Sequence, residues 1–136
     1  YEFQSNAWTQ VGGDIDGKAE HSSIQSVSIS ADGSRVAIGE TEKGHGLDAD
    51  QVRVFEFQSN AWVQMGISID GEALNDKFGA SVSMSADGSR VAIGAYANGG
   101  NGSKSGHVRV YEIREESNGS QACLKLLRFK SYFTYR

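Results

Sequence analysis

Short runs in which polar and apolar residues alternate, separated by glycine-rich turns, make up most of the chain. Residues 81–85, SVSMS, alternate with a period of two, which is typical of a β-strand. The Asp-Gly pair in the next four residues, 86–89, favours a tight hairpin because glycine accepts a positive φ without a Cβ clash. The pattern predicts a unit of four short antiparallel strands, at residues 81–85, 90–94, 107–113 and 61–65.

The chain also repeats itself with a period of about 55 residues. The segment YEFQSNAWTQ at residues 1–10 returns as FEFQSNAWVQ at 55–64. The segment SADGSRVAIG at residues 30–39 returns unchanged at 85–94, and a run of ten identical residues excludes coincidence. The chain is therefore an array of similar units, with about two and a half copies.

Aromatic residues recur on the predicted strands. If one face of each sheet were exposed to water, some of these aromatic side chains would lie on it, which is unfavourable. These residues are Tyr1, Phe3, Phe55, Phe57 and Tyr111. We therefore expect both faces of each sheet to be covered, as in sheets stacked around the axis of a β-propeller. The predicted fold is all-β, a partial β-propeller of about two and a half four-stranded antiparallel blades of about 55 residues each. The blades occupy residues 1–113, with copies at 8–54 and 62–110, and residues 114–136 form a non-repeat tail.

Short glycine motifs mark the strands of the second copy. Phe78-Gly79 opens its first strand, Gly94-Ala95 closes its second, and Gly106 precedes its third. In this order and spacing the motifs resemble an FG-GAP repeat, the blade unit of integrin-alpha-type β-propellers. The first copy has Ile24-Gln25 where the repeat has Phe-Gly. The resemblance implies a propeller that recognises a protein or a glycan, often outside the cell.

Two tryptophans and four arginines also recur in register between the copies. We interpret Trp8 and Trp62 as blade core rather than as platforms on which a sugar stacks. The arginines are predicted to make polar contacts between blades, and they are Arg35 with Arg90, and Arg53 with Arg109.

Composition and charge restrict the classes of function. The single Cys excludes a disulfide framework, and no apolar run is long enough for a membrane span. The net charge of −4 argues against a general nucleic-acid binder. All the acidic residues lie in residues 1–121, whereas the charged residues of 122–136 are all basic. This basic tail is either a short amphipathic helix on a membrane surface or a segment that has left the repeat pattern.

The sequence offers only weak candidates for a metal site. The resemblance implies a calcium loop between the Phe-Gly and Gly-Ala elements, but that interval contains a single carboxylate, Asp87. The remaining calcium candidates are Asp14, Asp16, Asp70 and Asp76. The alternative is that these carboxylates are solvated or bond nearby amides. We expect no other cofactor.

Neither histidines nor serines form a catalytic pattern. His21, His45 and His107 lie at no metal-ligand spacing, and no Gly-x-Ser-x-Gly elbow is present, so we do not expect an enzyme. Asn101 and Asn118 begin N-glycosylation sequons. Together with the resemblance, these sequons favour an extracellular or cell-surface location.

The predicted function is a non-catalytic recognition or adhesion scaffold that binds a protein or glycan through its inter-strand loops. Alternatives are the propeller fragment of a larger secreted enzyme and a purely structural repeat spacer. The expected partners include further propeller blades of the same full-length chain, because Tyr1 opens directly into a strand-like segment and indicates a cut edge. An open face at each end predicts a chain that is marginally stable, oligomeric or prone to aggregation.

Overall fold

The computed structural model describes residues 1–18, 20, 22–42 and 50–114, and the regular structure within them is entirely β. His21, His45 and the sequon at Asn118, which belongs to the tail from residue 115, lie outside these described residues. The strands are β1 (Glu2–Gln4), β2 (Ala7–Thr9), β3 (Ser22–Ile29), β4 (Arg35–Glu42), β5 (Gln51–Gln58), β6 (Ala61–Gln64), β7 (Ile69–Asp70), β8 (Phe78–Met84), β9 (Arg90–Ala95) and β10 (His107–Glu112). Several antiparallel sheets without a closed barrel confirm an all-β, partial β-propeller fold.

The first blade is the predicted four-stranded antiparallel meander, in the order β3-β4-β5-β6. The chain then continues along β5, because the Met65 amide donates to the Val54 carbonyl at 2.8 Å and β7 pairs with the start of β5. The second blade contains β8, β9 and β10. The fourth strand predicted for it, after Ile113, lies outside the described residues.

The strands β1 and β2 form a separate two-stranded sheet whose sequence repeats that of β5 and β6. The tryptophan strand of each sequence copy thus closes the sheet that precedes it. A blade in the structure therefore spans residues 22–64, an interval offset from the sequence copy at 8–54.

The two blades pack face to face around one apolar core. One face of β4 and β5 meets the inward faces of β8, β9 and β10, because side chains on a strand alternate between the two faces. The buried residues of this core are Ala37, Val52, Val54, Met65, Ile69, Phe78, Met84, Val91, Ile93, Ala95, Tyr111 and Ile113. Tyr111 and Ile113 lie well inside this core, at 4% and 6% exposure.

The main chains of the blades cross closely at two glycines, Gly39 of β4 and Gly79 of β8. A Cβ on Gly39 would lie 1.9 Å from the Gly79 carbonyl oxygen, so only glycine fits there. That oxygen instead accepts a hydrogen bond from the Ser26 hydroxyl at 2.7 Å. Gly79 has a φ of +81°, and a Cβ on it would lie 2.9 Å from Val52 Cγ2. Both motif glycines are therefore required by the contact between blades.

The identical hairpin turns are held by an aspartate in each copy. Asp32 Oδ1 accepts hydrogen bonds from the Ser30 hydroxyl at 2.7 Å, from the Ser34 amide at 3.0 Å and from the Ser34 hydroxyl at 2.8 Å. These three donors lower the pKa of Asp32 from 3.8 to about 2. The same three bonds, from Ser85 and Ser89, lower the pKa of Asp87 to about 2. Each turn is thus closed by three hydrogen bonds to one ionised carboxylate.

The expectation that both faces of each sheet are covered is wrong at the ends of the stack. Val27 of the first blade is 67% exposed and Val108 of the second is 65% exposed. Trp8, predicted as core, is 69% exposed and touches the ring of Phe3. In each case the side chain stays exposed because no further blade covers it within the described part of the chain.

Replacement of Gly39 by Ala tests the close crossing of the blades. We expect Gly39→Ala to lower the free energy of unfolding by about 1–3 kcal/mol, because the added methyl would overlap the main chain of the neighbouring blade. Urea denaturation measures the change. Gly13→Ala is the control, since a Cβ at Gly13 meets no atom within 4 Å, and its effect should stay within about 1 kcal/mol. Equal effects of the two substitutions would contradict the role given to Gly39.

The turn aspartates predict a dependence of stability on acid pH. Their folded pKa of about 2 lies below the ordinary value of 3.8, so the carboxylates stabilise the fold above pH 4. That contribution is lost as the pH falls from about 4 to about 2. In thermal melts over this range, the double variant Asp32→Asn, Asp87→Asn should lose less stability than the parent. The variant Ser34→Ala, Ser89→Ala keeps the carboxylates and the amide donors, so it should be intermediate. Identical slopes for all three proteins would refute this origin.

Candidate functional site

Two loops meet at one end of the second blade, opposite the hairpin turns. Residues 71–77 lead into β8, and residues 96–106 connect β9 to β10. Because β8 begins where β9 ends and β10 begins, the antiparallel order brings these loops to the same edge of the sheet. We call this pair of segments the loop cluster.

A buried aspartate and asparagine join the two loops of the cluster. Asp76 and Asn98 are each 8% exposed, and the Asn98 amide group donates to Asp76 Oδ2 at 2.5 Å. The Ala97 amide also donates to the Asp76 carbonyl, at 3.1 Å. Asn98 Oδ1 accepts from the Gly100 amide at 2.9 Å, and its carbonyl accepts from the Gly106 amide at 2.9 Å. One asparagine therefore sets the path of the whole 96–106 loop.

An ion pair connects the first loop of the cluster to strand β10. The Arg109 guanidinium pairs with the Glu72 carboxylate, which is partly exposed. The hydrogen bond to Glu72 is the main cause of a pKa for Arg109 above its ordinary value. The carboxylate thereby holds the first loop against β10.

The repeated arginines divide between two kinds of contact. Arg35 donates to the Gly88 carbonyl of the next blade at 3.2 Å, as predicted for a contact between blades, and it also pairs with Glu56 of its own blade at 2.8 Å. For Arg53 the prediction of a contact between blades is wrong, because Arg53 pairs with buried Glu40 of its own blade and donates to the Asp16 carbonyl at 2.5 Å. It is wrong for Arg109 too, whose ion-pair partner Glu72 lies in the segment that leads into the same blade. The alternation of residues along a strand could not distinguish these partners, because both lie far away in sequence.

The structure scatters the four calcium candidates. Asp14 Oδ1 accepts from the Gln10 side chain at 2.7 Å, and Asp16 uses its main-chain oxygen to bind Arg53. Asp70 is exposed on β7, and Asp76 is occupied by Asn98 as described above. The described residues contain no group of three His, Cys, Asp or Glu side chains that could hold a metal ion.

The repeat-motif residues serve the scaffold. Phe78 and Ala95 are buried in the core between the blades, at 1% and 0% exposure. Gly106 has a φ of +70°, and a Cβ on it would lie 3.1 Å from the Tyr96 carbonyl oxygen, so glycine closes the 96–106 loop. Trp62 packs on Phe57 with ring centroids 5.1 Å apart and contributes to the smaller apolar cluster of the first blade.

A cleft of about 670 Å³ lies on the face of the first blade that is turned away from the second blade. The apolar residues that line it include Val36, Ile38, Trp62 and Tyr1. Sequence reasoning missed this cleft, because a polar-apolar pattern shows which residues face inward but not what fills the space beside them.

The glycosylation and histidine candidates differ in their setting. Asn101 is exposed in the 96–106 loop, where an attached glycan would meet solvent. His107 is half-buried at the start of β10, beside the same loop. The other candidates, His21, His45 and Asn118, lie in parts of the chain that the structure does not describe.

Residues 67–111 match the family model of the FG-GAP repeat. The matched segment contains the loop cluster, the strands β7 to β9 and all but the last residue of β10, so the resemblance seen in the sequence is confirmed there. No curated protein and no solved structure matches the chain. Among the described residues, no helix has the length and apolar character needed to cross a membrane.

Replacement of Asn98 by Ala tests the bridge that orders the loop cluster. The change removes the donor to buried Asp76 Oδ2 and should cost about 1–3 kcal/mol of unfolding free energy. In hydrogen exchange, the Gly100 amide should lose protection because its acceptor is the Asn98 side chain. The Gly106 amide bonds the Asn98 main chain and provides the internal control. An unchanged Gly100 amide would show that the asparagine does not organise the loop.

Proposed function

We propose that this FG-GAP repeat chain is a non-catalytic recognition scaffold that binds a protein or glycan outside the cell through the loop cluster. The shared part of the blades keeps the loops in place, and the loops make the contacts. A rigid sheet with binding loops at one end is a common division of labour among recognition domains.

The observation that carries this proposal is the contrast between the constant and the variable parts of the repeat. Residues that are identical in the two copies form the strands and hairpins that hold the blades together. The connection between the second and third strands differs, with KGHGLDA at 43–49 in the first copy and NGGNGSKSG at 98–106 in the second. This connection differs in both length and sequence, whereas the hairpin and the second strand that precede it are identical in the two copies. A variable loop carried on a shared hairpin is expected of a surface that selects a ligand.

The chemistry of the 96–106 loop fits a polar ligand. Residues 99–105 are all exposed, and they combine main-chain amides with Asn101, Ser103, Lys104 and Ser105. Such groups hydrogen-bond to sugar hydroxyls or to a peptide main chain. The buried Asp76–Asn98 pair fixes the loop in advance, which lowers the entropy lost on binding. The exposed Asn101-Gly102-Ser103 sequon supports an extracellular setting.

Ligand arrays test this proposal directly. We expect the full chain to bind members of a glycan array or of an array of purified secreted proteins. The double variant Asn101→Ala, Lys104→Ala should weaken that binding about tenfold or more. The matched control is Gln58→Ala, an exposed polar residue on β5 at the hairpin end of the stack. Binding that survives the loop variant but fails in the control would overturn the assignment of the site, and absence of any binding would overturn the recognition role.

A further inference from the structure

The uncovered face of the second blade repeats, residue for residue, a face that the first blade uses for packing. We call these surfaces the second back face and the first back face. The first back face consists of Ser26, Ser28, Arg35, Ala37, Gly39, Val52 and Val54, and the second consists of Ser81, Ser83, Arg90, Ala92, Gly94, Val108 and Val110. All seven pairs are identical in residue type, and each pair occupies the same register position in its sheet.

The structure shows what the first back face binds. The first strand and hairpin of the next blade lie on it through three hydrogen bonds to its side chains and a fourth from the adjoining hairpin turn. These bonds are Ser26 Oγ to the Gly79 carbonyl at 2.7 Å, the Met84 amide to Ser28 Oγ at 2.9 Å, Arg35 Nη1 to the Gly88 carbonyl at 3.2 Å and the Ala31 amide to the Ala86 carbonyl at 2.8 Å. The donors and acceptors of the first back face are thus matched to the main chain of a blade.

The same positions on the second back face are open. Val52 and Val54 are 0% and 2% exposed, whereas their counterparts Val108 and Val110 are 65% and 43% exposed. Ser81 and Ser83, the counterparts of the two bonding serines, are also exposed. The second back face therefore carries every side chain that holds a blade on the first one.

We propose that the second back face is a docking surface for a further β-propeller blade whose first strand has glycine at the position of Gly79. The requirement for glycine follows from the packing. Gly94 corresponds to Gly39, which lies against the Gly79 carbonyl, and Val108 corresponds to Val52, whose Cγ2 lies 2.9 Å from a Cβ placed on Gly79. A larger residue at that position would overlap both partners.

A second copy of this chain does not meet the requirement. The strand that it leaves uncovered is β3, which has Ile24-Gln25 instead of Phe78-Gly79. The β3 strand also has one residue in its bulge, between Ile24 and Ser26, where β8 has two. The carbonyl that meets Gly39 has no equivalent in such a strand. The docking surface consequently selects a Phe-Gly blade over self-association.

A chain with one added blade tests the proposal. A further copy of residues 59–114 is inserted directly after Arg114, which supplies Phe-Gly in the correct order. Val108→Cys is introduced into the parent and into the extended chain, and the rate of alkylation at this position is followed by peptide mass. We expect alkylation in the extended chain to be about tenfold slower or more, because the docked blade must open before the thiol reacts.

Two comparisons make the result specific. Val63→Cys, on outer strand β6 of the first blade, should react at the same rate in both chains. The substitution Gly79→Gln in the added copy alone should restore the rapid alkylation of position 108. An extended chain that reacts as fast as the parent would overturn the proposal. Alkylation of the parent that slows as its concentration rises would show a second copy on this face and would overturn the choice of occupant.

Discussion

The contact between the blades depends on two main chains that cross at Gly39 and Gly79 without any side chain between them. The Gly79 carbonyl occupies the space that a Cβ on Gly39 would need, and the Ser26 hydroxyl satisfies it there. Only at this separation can the aliphatic faces of β4 and β5 meet the inward faces of β8 and β9 in one core. The Phe-Gly element of one copy and the strand glycine of the preceding copy, here Gly39-Glu40 at the position of Gly94-Ala95, are therefore two halves of a single interface contributed by successive blades.

The hairpin turns extend this interface to the end of the sheet. Each turn is closed locally around an ionised aspartate, so its main-chain carbonyls keep a fixed direction. The carbonyls of Ala86 and Gly88 can then accept hydrogen bonds from Ala31 and Arg35 of the preceding blade. This explains why the identical segment includes the turn as well as the strand: the turn is both a local hairpin and a contact between blades.

Sequence reasoning predicted what is local or repeated. Alternation located the strands, Asp-Gly located the hairpins, and self-comparison predicted stacked blades, because each of these depends on neighbours in the chain or on its period. The hydrogen bond between Asp76 and Asn98 was not predicted, because it joins residues 22 positions apart that share no motif. The exposure of Trp8 was not predicted for another reason. The alternation of residues gives the direction of its side chain, but its burial depends on whether another strand packs against it.

Gly94 lies inside strand β9, and the packing within its own blade does not explain why this position is glycine. A glycine inside a strand costs roughly 0.5–1 kcal/mol relative to alanine, so it needs a compensating role. Within the described residues a Cβ on Gly94 would meet only Ser81, and its nearest atom, the hydroxyl at 2.4 Å, can rotate away. At Gly39, by contrast, the obstacle is the rigid main chain of the next blade. Intramolecular packing of the second blade alone thus does not account for Gly94, whereas the approach of another backbone does, by the same geometry that the first blade displays.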